Sequence, residues 1–162
     1  MIARPDARFL VSHPAHFIAL GFGAGLAPVA PGTVGTLLGF PVYMLLAYFL
    51  SPPEVFGAGI ALFVLGVWAC GRTGRDLGIA DHSGMVWDEV AAFVLILVLT
   101  PPGPWWWALA FFVFRFFDVL KPPPIRTIDR RWKGGFGVMF DDIAAAFYTL
   151  LVIAIVARVV EI

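Results

Sequence analysis

Met85-Val86-Trp87-Asp88-Glu89-Val90-Ala91-Ala92-Phe93-Val94-Leu95-Ile96-Leu97-Val98-Leu99 is the stretch that decides the fold. It is apolar on every side except for one acidic pair about a turn from its start. It shows none of the two-residue alternation of a barrel strand, so it reads as a membrane-spanning helix. Thr100-Pro101-Pro102 ends it. Four further runs surround it: Val34–Leu50, Val55–Cys70, Trp105–Leu120 and Ile143–Val160. Each is close to the roughly 17–25 residues that a tilted span needs. A partial run, Phe17–Pro31, is apolar but studded with glycine and proline. It predicts an interfacial or re-entrant segment covered by protein.

Composition agrees with the runs. Hydrophobic residues make up 60% of the 162 and charged residues only 14%, and mean hydropathy is +0.90. So little charge cannot cover a soluble domain of this apolarity, and disorder needs the opposite balance. The expected fold is a single domain over residues 1–162, an all-α polytopic transmembrane bundle of about five spans. A net charge of +0 points to no nucleic-acid partner. The lone Cys70 sits in an apolar run and reads as a small buried hydrophobe. Arg4 and Arg8 ahead of Phe17–Ala30 mimic a signal peptide. Asp6 among the basic residues and the glycines in the apolar stretch point instead to a retained segment.

Lysine and arginine set the orientation. Ser51–Glu54 and Pro101–Pro104 contain neither. Arg4, Arg8, Arg72, Arg75, Lys121, Arg126, Arg130, Arg131 and Lys133 fall on the other side, nine of the eleven basic residues. That side is therefore expected to be cytoplasmic. Trp105-Trp106-Trp107 opens its run as an interfacial aromatic belt would.

Eight of the eleven acids, Asp76, Asp81, Asp88, Glu89, Asp118, Asp129, Asp141 and Asp142, fall on that same side. Carboxylates at membrane depth are costly unless paired or bound to a cation. Hard oxygen ligands suit Mg²⁺ together with phosphate oxygens, and the basic residues of the same loops suit a phosphate. Arg115, Asp118 and Lys121 follow one another at three-residue spacing and share a helix face. Acids, metal and bases at one end read as a phosphoryl site at a membrane surface. The plainer readings are that Asp88 and Asp141 answer helix dipoles and that Arg72, Arg75 and Lys133 mark topology or touch anionic lipid. His13 and His16 are not expected to bind metal. No Cys-x5-Arg motif follows Cys70, and no Asp-x-Asp-x-Thr run occurs. What remains is attack by a metal-activated water.

Four ordered motifs carry a family resemblance. They are Gly21–Pro28 with Pro31-Gly32-Thr33-Val34-Gly35-Thr36; Asp81-His82-Ser83-Gly84-Met85-Val86-Trp87-Asp88-Glu89; Phe114–Pro122; and Asp129-Arg130 through Gly134-Gly135-Phe136-Gly137 to Asp141-Asp142. In these stretches the chain resembles the phosphatidylglycerophosphatase A family, with Met85 and Phe140 standing where other apolar residues are expected. The resemblance implies a Mg²⁺-dependent lipid phosphatase of the bacterial inner membrane that converts phosphatidylglycerophosphate to phosphatidylglycerol. A lipid substrate would further need a groove that keeps its tails in hydrocarbon.

The expected roles follow from the convergence of acids and bases. Asp88, Glu89, Asp141 and Asp142 hold the metal, and Asp118 is a further candidate ligand. Asp81 or Asp118 is the base. Lys121 and Arg126, with Arg115 or Arg130, bind phosphate, and Thr33 donates a hydrogen bond. A small transporter is the rival class, but it would want polar groups at the bilayer centre. A non-enzymatic docking subunit would not need carboxylates a turn inside a span. Oligomeric state is not legible in the sequence.

Overall fold

The computed structural model describes residues 5–160, the side chains of residues 128 and 129 excepted. Arg4, Glu161 and the side chain of Asp129 lie outside the described residues. Within them the chain is helical, with no strand. Three short pieces come first: α1 (Ala7–Ser12), α2 (Pro14–Ala19) and a 3-10 helix, Gly21–Leu26. Then follow α3 (Pro31–Phe49), α4 (Pro52–Leu77), α5 (Trp87–Leu99), α6 (Pro104–Leu120), α7 (Ile125–Arg131) and α8 (Gly135–Val160).

The all-α expectation holds, and the five apolar runs map onto α3, α4, α5, α6 and α8 in order. Three of them, α3, α4 and α8, are long and apolar enough to cross a membrane by themselves. Their outer faces carry large exposed apolar side chains, including Tyr48, Phe49, Phe147 and Val159. In water such a surface would be unstable, and in lipid it is the solvated one. With 13 residues, α5 is only ~20 Å long, short of a ~30 Å hydrocarbon core. It does not need that length. Every residue from Trp87 to Leu97 is buried by the protein itself. A helix apolar all round sits at the centre of its fold, and α3, α4 and α8 enclose it.

Small residues let the helices close on one another. At Gly66 a Cβ would stand 2.4 Å from the Met139 sulfur and 2.7 Å from the Trp87 ring. Here α4, α5 and α8 meet, and the Trp87 indole N–H donates to the Leu62 carbonyl at 3.0 Å.

The segment before α3 is built of three short helical pieces. Asp6 caps α1, accepting from the Phe9 N–H at 2.8 Å. After α2 the backbone turns sharply through Phe22 and Gly23, both at positive φ. The buried His16 lies 2.9 Å from Asp76, which also accepts from Arg72 at 2.8 Å. This fastens α2 to the last turn of α4. Sequence spacing had set His16 far from any carboxylate, because Asp76 is sixty residues away.

The fifth run begins earlier than its composition suggests. The helix starts at Gly135 and takes in Phe136 and Val138–Phe140. Asp141 and Asp142 therefore lie nearly two turns inside α8, where both are buried.

Candidate metal centre

Five helix ends meet at one end of the bundle: the starts of α3, α5 and α8 and the ends of α4 and α6. The first turn of α5 projects Asp88 and Glu89, and the second turn of α8 projects Asp142. One carboxylate oxygen from each lies within 4.8 Å of the others, and all three residues are buried. Asp88 Oδ1, Glu89 Oε2 and Asp142 Oδ2 each lack a hydrogen-bond partner among the described residues. Three buried carboxylates so close together repel strongly unless a cation stands between them. Orphaned, converging, hard oxygen donors are the donor set of a divalent metal such as magnesium.

Glu89 is set by its neighbours. A Cβ on Gly32, in the first turn of α3, would stand 2.2 Å from Glu89 Oε1. With no side chain at Gly32, helix backbone and carboxylate come into direct contact. On the other side, Arg115 Nη1 lies 3.6 Å from Glu89 Oε1. The same nitrogen pairs with Asp118 and lies 3.4 Å from Thr36 Oγ1. The i, i+3 spacing on α6 turns both side chains toward α5.

Asp141 does something else. Its carboxylate pairs with Lys121 and accepts the Asp142 N–H at 3.1 Å. Lys121 ends α6 in the left-handed conformation, φ 42°. A non-glycine residue is uncommon there and costs roughly 1–2 kcal/mol, so the surrounding packing holds the ammonium against Asp141.

The structure thus brings together three of the four expected metal ligands, with Arg115 and Asp118 beside them. The fourth, Asp141, is joined to Lys121 instead. Asp81 is exposed in the loop before α5, outside the carboxylate cluster. Arg126 and Arg130 are exposed on α7, whose buried Ile125 anchors it to the bundle. Thr33 is half-buried in the first turn of α3. The hydroxyl that meets Arg115 belongs to Thr36, one turn on, and donates to the Gly32 carbonyl at 2.9 Å. The motif that holds Gly32 and Thr36 was given a role only at Thr33. Their i, i+4 spacing was the available signal.

The arrangement can bind a divalent cation beside fixed positive charge, and so can bind and activate a phosphate ester. Comparison with known proteins agrees. The profile of a family described as Phosphatidylglycerophosphatase A matches residues 17–157. A Phosphatidylglycerophosphatase A of Haemophilus influenzae is 42% identical over 151 residues, 92% of this chain and 92% of that protein. One from Escherichia coli is 40% identical over 141 residues, covering 86% of this chain and 81% of that protein. A relative from Bacteroides thetaiotaomicron is 36% identical over 150 residues, 88% of this chain and 93% of that protein, and is provisionally named a phosphatidylinositol-3-phosphatase. No solved structure matches the chain.

Proposed function

The chain belongs to the phosphatidylglycerophosphatase A family, and from that membership we propose that it removes the terminal phosphate of phosphatidylglycerophosphate in a bacterial inner membrane. The products are phosphatidylglycerol and inorganic phosphate. The observation that carries the reading is the cluster of three buried carboxylates with orphaned oxygens at one end of α5.

Asp88, Glu89 and Asp142 are the residues that would hold Mg²⁺. When bound there, the ion polarises phosphoryl oxygens and lowers the pKa of a bound water. The chain's own groups do the rest. Asp118, beside the cluster through its shared partner Arg115, is better placed than exposed Asp81 to take the water's proton. Arg115 offsets charge that builds on the phosphoryl oxygens. Lys121, locked against Asp141, adds a second fixed positive charge at the mouth of the site. Arg126 and Arg130, exposed on α7, draw an anionic head group toward it. The water oxygen joins phosphorus, and the ester oxygen departs with the lipid, regaining a proton.

The gathering of basic residues at this end of the bundle supports a site that faces the cytoplasm. A reporter fused after α8 should accordingly lie outside the cytoplasm.

The deciding experiment is phosphate release from phosphatidylglycerophosphate by the purified protein in detergent, with Mg²⁺ and with chelator. Metal-dependent release that Asp88→Asn and Asp142→Asn each abolish is the expected result. Release from phosphatidylinositol 3-phosphate but not from phosphatidylglycerophosphate would move the substrate to that of the Bacteroides relative. No release from either would overturn the reading.

A further inference from the structure

His16 is buried, and both of its ring nitrogens face oxygen. Nε2 lies 2.9 Å from Asp76 Oδ2 on α4. Nδ1 lies 3.1 Å from the Phe9 carbonyl oxygen and 3.0 Å from Ser12 Oγ, both on α1. A carbonyl and a carboxylate only accept. Arg72 Nε donates to the same Asp76 oxygen at 2.8 Å, which keeps that group an acceptor. The Ser12 hydroxyl gives its own proton to the Phe9 carbonyl at 2.7 Å. A neutral imidazole carries one N–H and one lone pair. In either tautomer that lone pair would face an oxygen, at 2.9 Å on one side of the ring or 3.1 Å on the other. The imidazolium, a donor at both nitrogens, is the form that fits. The Phe9 ring, stacked on it at 4.0 Å, also favours a cation.

Of the elements packed against α2, α4 turns Asp76 and its partner Arg72 to this ring. Ahead of α1, the Asp6 carboxylate is taken up by the Phe9 N–H, and Arg8 is exposed. His13 accepts the Ala15 N–H, with its ring 5.4 Å from that of His16. The 3-10 helix has no titratable residue. Trp87, Val90 and Ala91 of α5 share an apolar cluster with Ala15 and Ala19 of α2. What α2 carries is the start of α5. Its last residue, Ala19, accepts the Val86 N–H at 2.8 Å. Val86 is the N-cap of α5, two residues before Asp88. Its side chain sits against two glycines: a Cβ would stand 2.6 Å from it at Gly35 and 2.7 Å at Gly21. Residue 86 is thus held by α2, by the 3-10 helix and by α3, and the next turn projects Asp88 and Glu89.

We propose that His16 is a positioning residue for the metal centre, an inference that rests on the phosphatase reading. As an imidazolium it joins α1, α2 and α4, and through Ala19 and Val86 it sets where α5 presents Asp88 and Glu89. Raising the pH takes one proton from the ring into solvent and turns a lone pair toward an oxygen. The clamp loosens, the start of α5 is less firmly placed, and the carboxylates hold Mg²⁺ less tightly.

Two readouts in the purified protein test this over about pH 5.5 to 9, a range that brackets histidine's change of charge. The first is amide hydrogen exchange at Val86, in chelator and corrected for the intrinsic rate at each pH. The Val138 amide, in the first turn of α8, is the internal reference. Relative to Val138, protection of Val86 should fall about tenfold as the pH rises, the order that a hydrogen bond to a charged group is worth. In His16→Gln it should be low throughout. The second is the Mg²⁺ concentration for half-maximal phosphate release, taken at each pH as the ratio of variant to unaltered protein. That ratio cancels the effects of pH on substrate and carboxylates, and it does not depend on how much of each preparation is folded. For His16→Gln, and for Asp76→Asn on the facing helix, it should be about tenfold at the acid end and approach unity at the alkaline end. A histidine that served packing alone would give a ratio independent of pH. Such a flat ratio in both variants, or Val86 protection indifferent to pH, would overturn the proposal while leaving the phosphatase reading intact. Absence of metal-dependent turnover by the unaltered protein would overturn the phosphatase reading and the positioning role with it, whatever Val86 shows.

Discussion

Arg115 Nη1 lies 3.6 Å from Glu89 Oε1 and pairs with Asp118 through the same nitrogen. One guanidinium therefore ties the proposed metal ligand on α5 to the proposed base on α6. Both ends of this bridge are largely buried. Removing the arginine leaves two carboxylates without a counter-charge.

Arg115→Ala is expected to cost about 3 kcal/mol of stability, the usual cost of breaking a buried ionic contact by removing one partner. Turnover should fall at least ~100-fold, as when a fixed oxyanion donor is lost. Thermal unfolding in detergent and phosphate release measure the two effects separately. A variant with normal activity would show that the bridge has no part in the chemistry.

Gly32→Ala puts a methyl group where Glu89 Oε1 now sits, 2.2 Å from the ideal Cβ. The helix propensity of alanine is better, so the backbone of α3 has no reason to unfold. The carboxylate must move instead. The Mg²⁺ concentration for half-maximal activity should rise about 10–100-fold, the range seen when a ligand's supporting contacts are disturbed. A metal titration that overlays the unaltered protein would refute this account of Glu89.

Adjacent aspartates on α8 should behave differently. Asp142→Asn removes an orphaned oxygen donor and should abolish turnover. Asp141→Asn removes the charge partner of Lys121 and should lower it about tenfold. Lys121→Gln should do the same, and the double variant should be no worse than either single one, because both disrupt one pair. Additive losses would mean that the two side chains act independently.

Metal removal should also loosen the fold. A cation binding only the folded chain adds about 2.7 kcal/mol at a hundred times its dissociation constant. Chelator should lower the Tm of the unaltered protein, and Mg²⁺ should restore it. In Asp88→Asn and Asp142→Asn the same addition should move the Tm little. A Tm blind to Mg²⁺ in the unaltered protein would argue against a metal at this cluster.

Much of this was legible in the sequence because the physics is local. Apolar runs without alternation gave the helices, and Asp88-Glu89 inside such a run marked the site. Three things were not local. The start of α8 was hidden because Gly134, Gly135 and Gly137 look like a loop, yet Phe136 and Val138–Phe140 already belong to the helix. The different partners of Asp141 and Asp142 depend on which way α8 is rotated, and its near-uniform apolarity gives no periodicity from which to read that. The His16–Asp76 contact joins residues sixty apart and required the tertiary fold.

The central position of α5 also bears on how the protein is made. Thirteen residues with two carboxylates in the first turn are a poor signal for membrane insertion, being well short of the roughly 20 apolar residues that a span needs. Its seat exists only when the flanking helices are in place. Asp142 belongs to α8, which is synthesised after the other four apolar helices. The carboxylate cluster can therefore assemble only after α8 has been synthesised, and a product cut short before α8 would reach the membrane without a working centre.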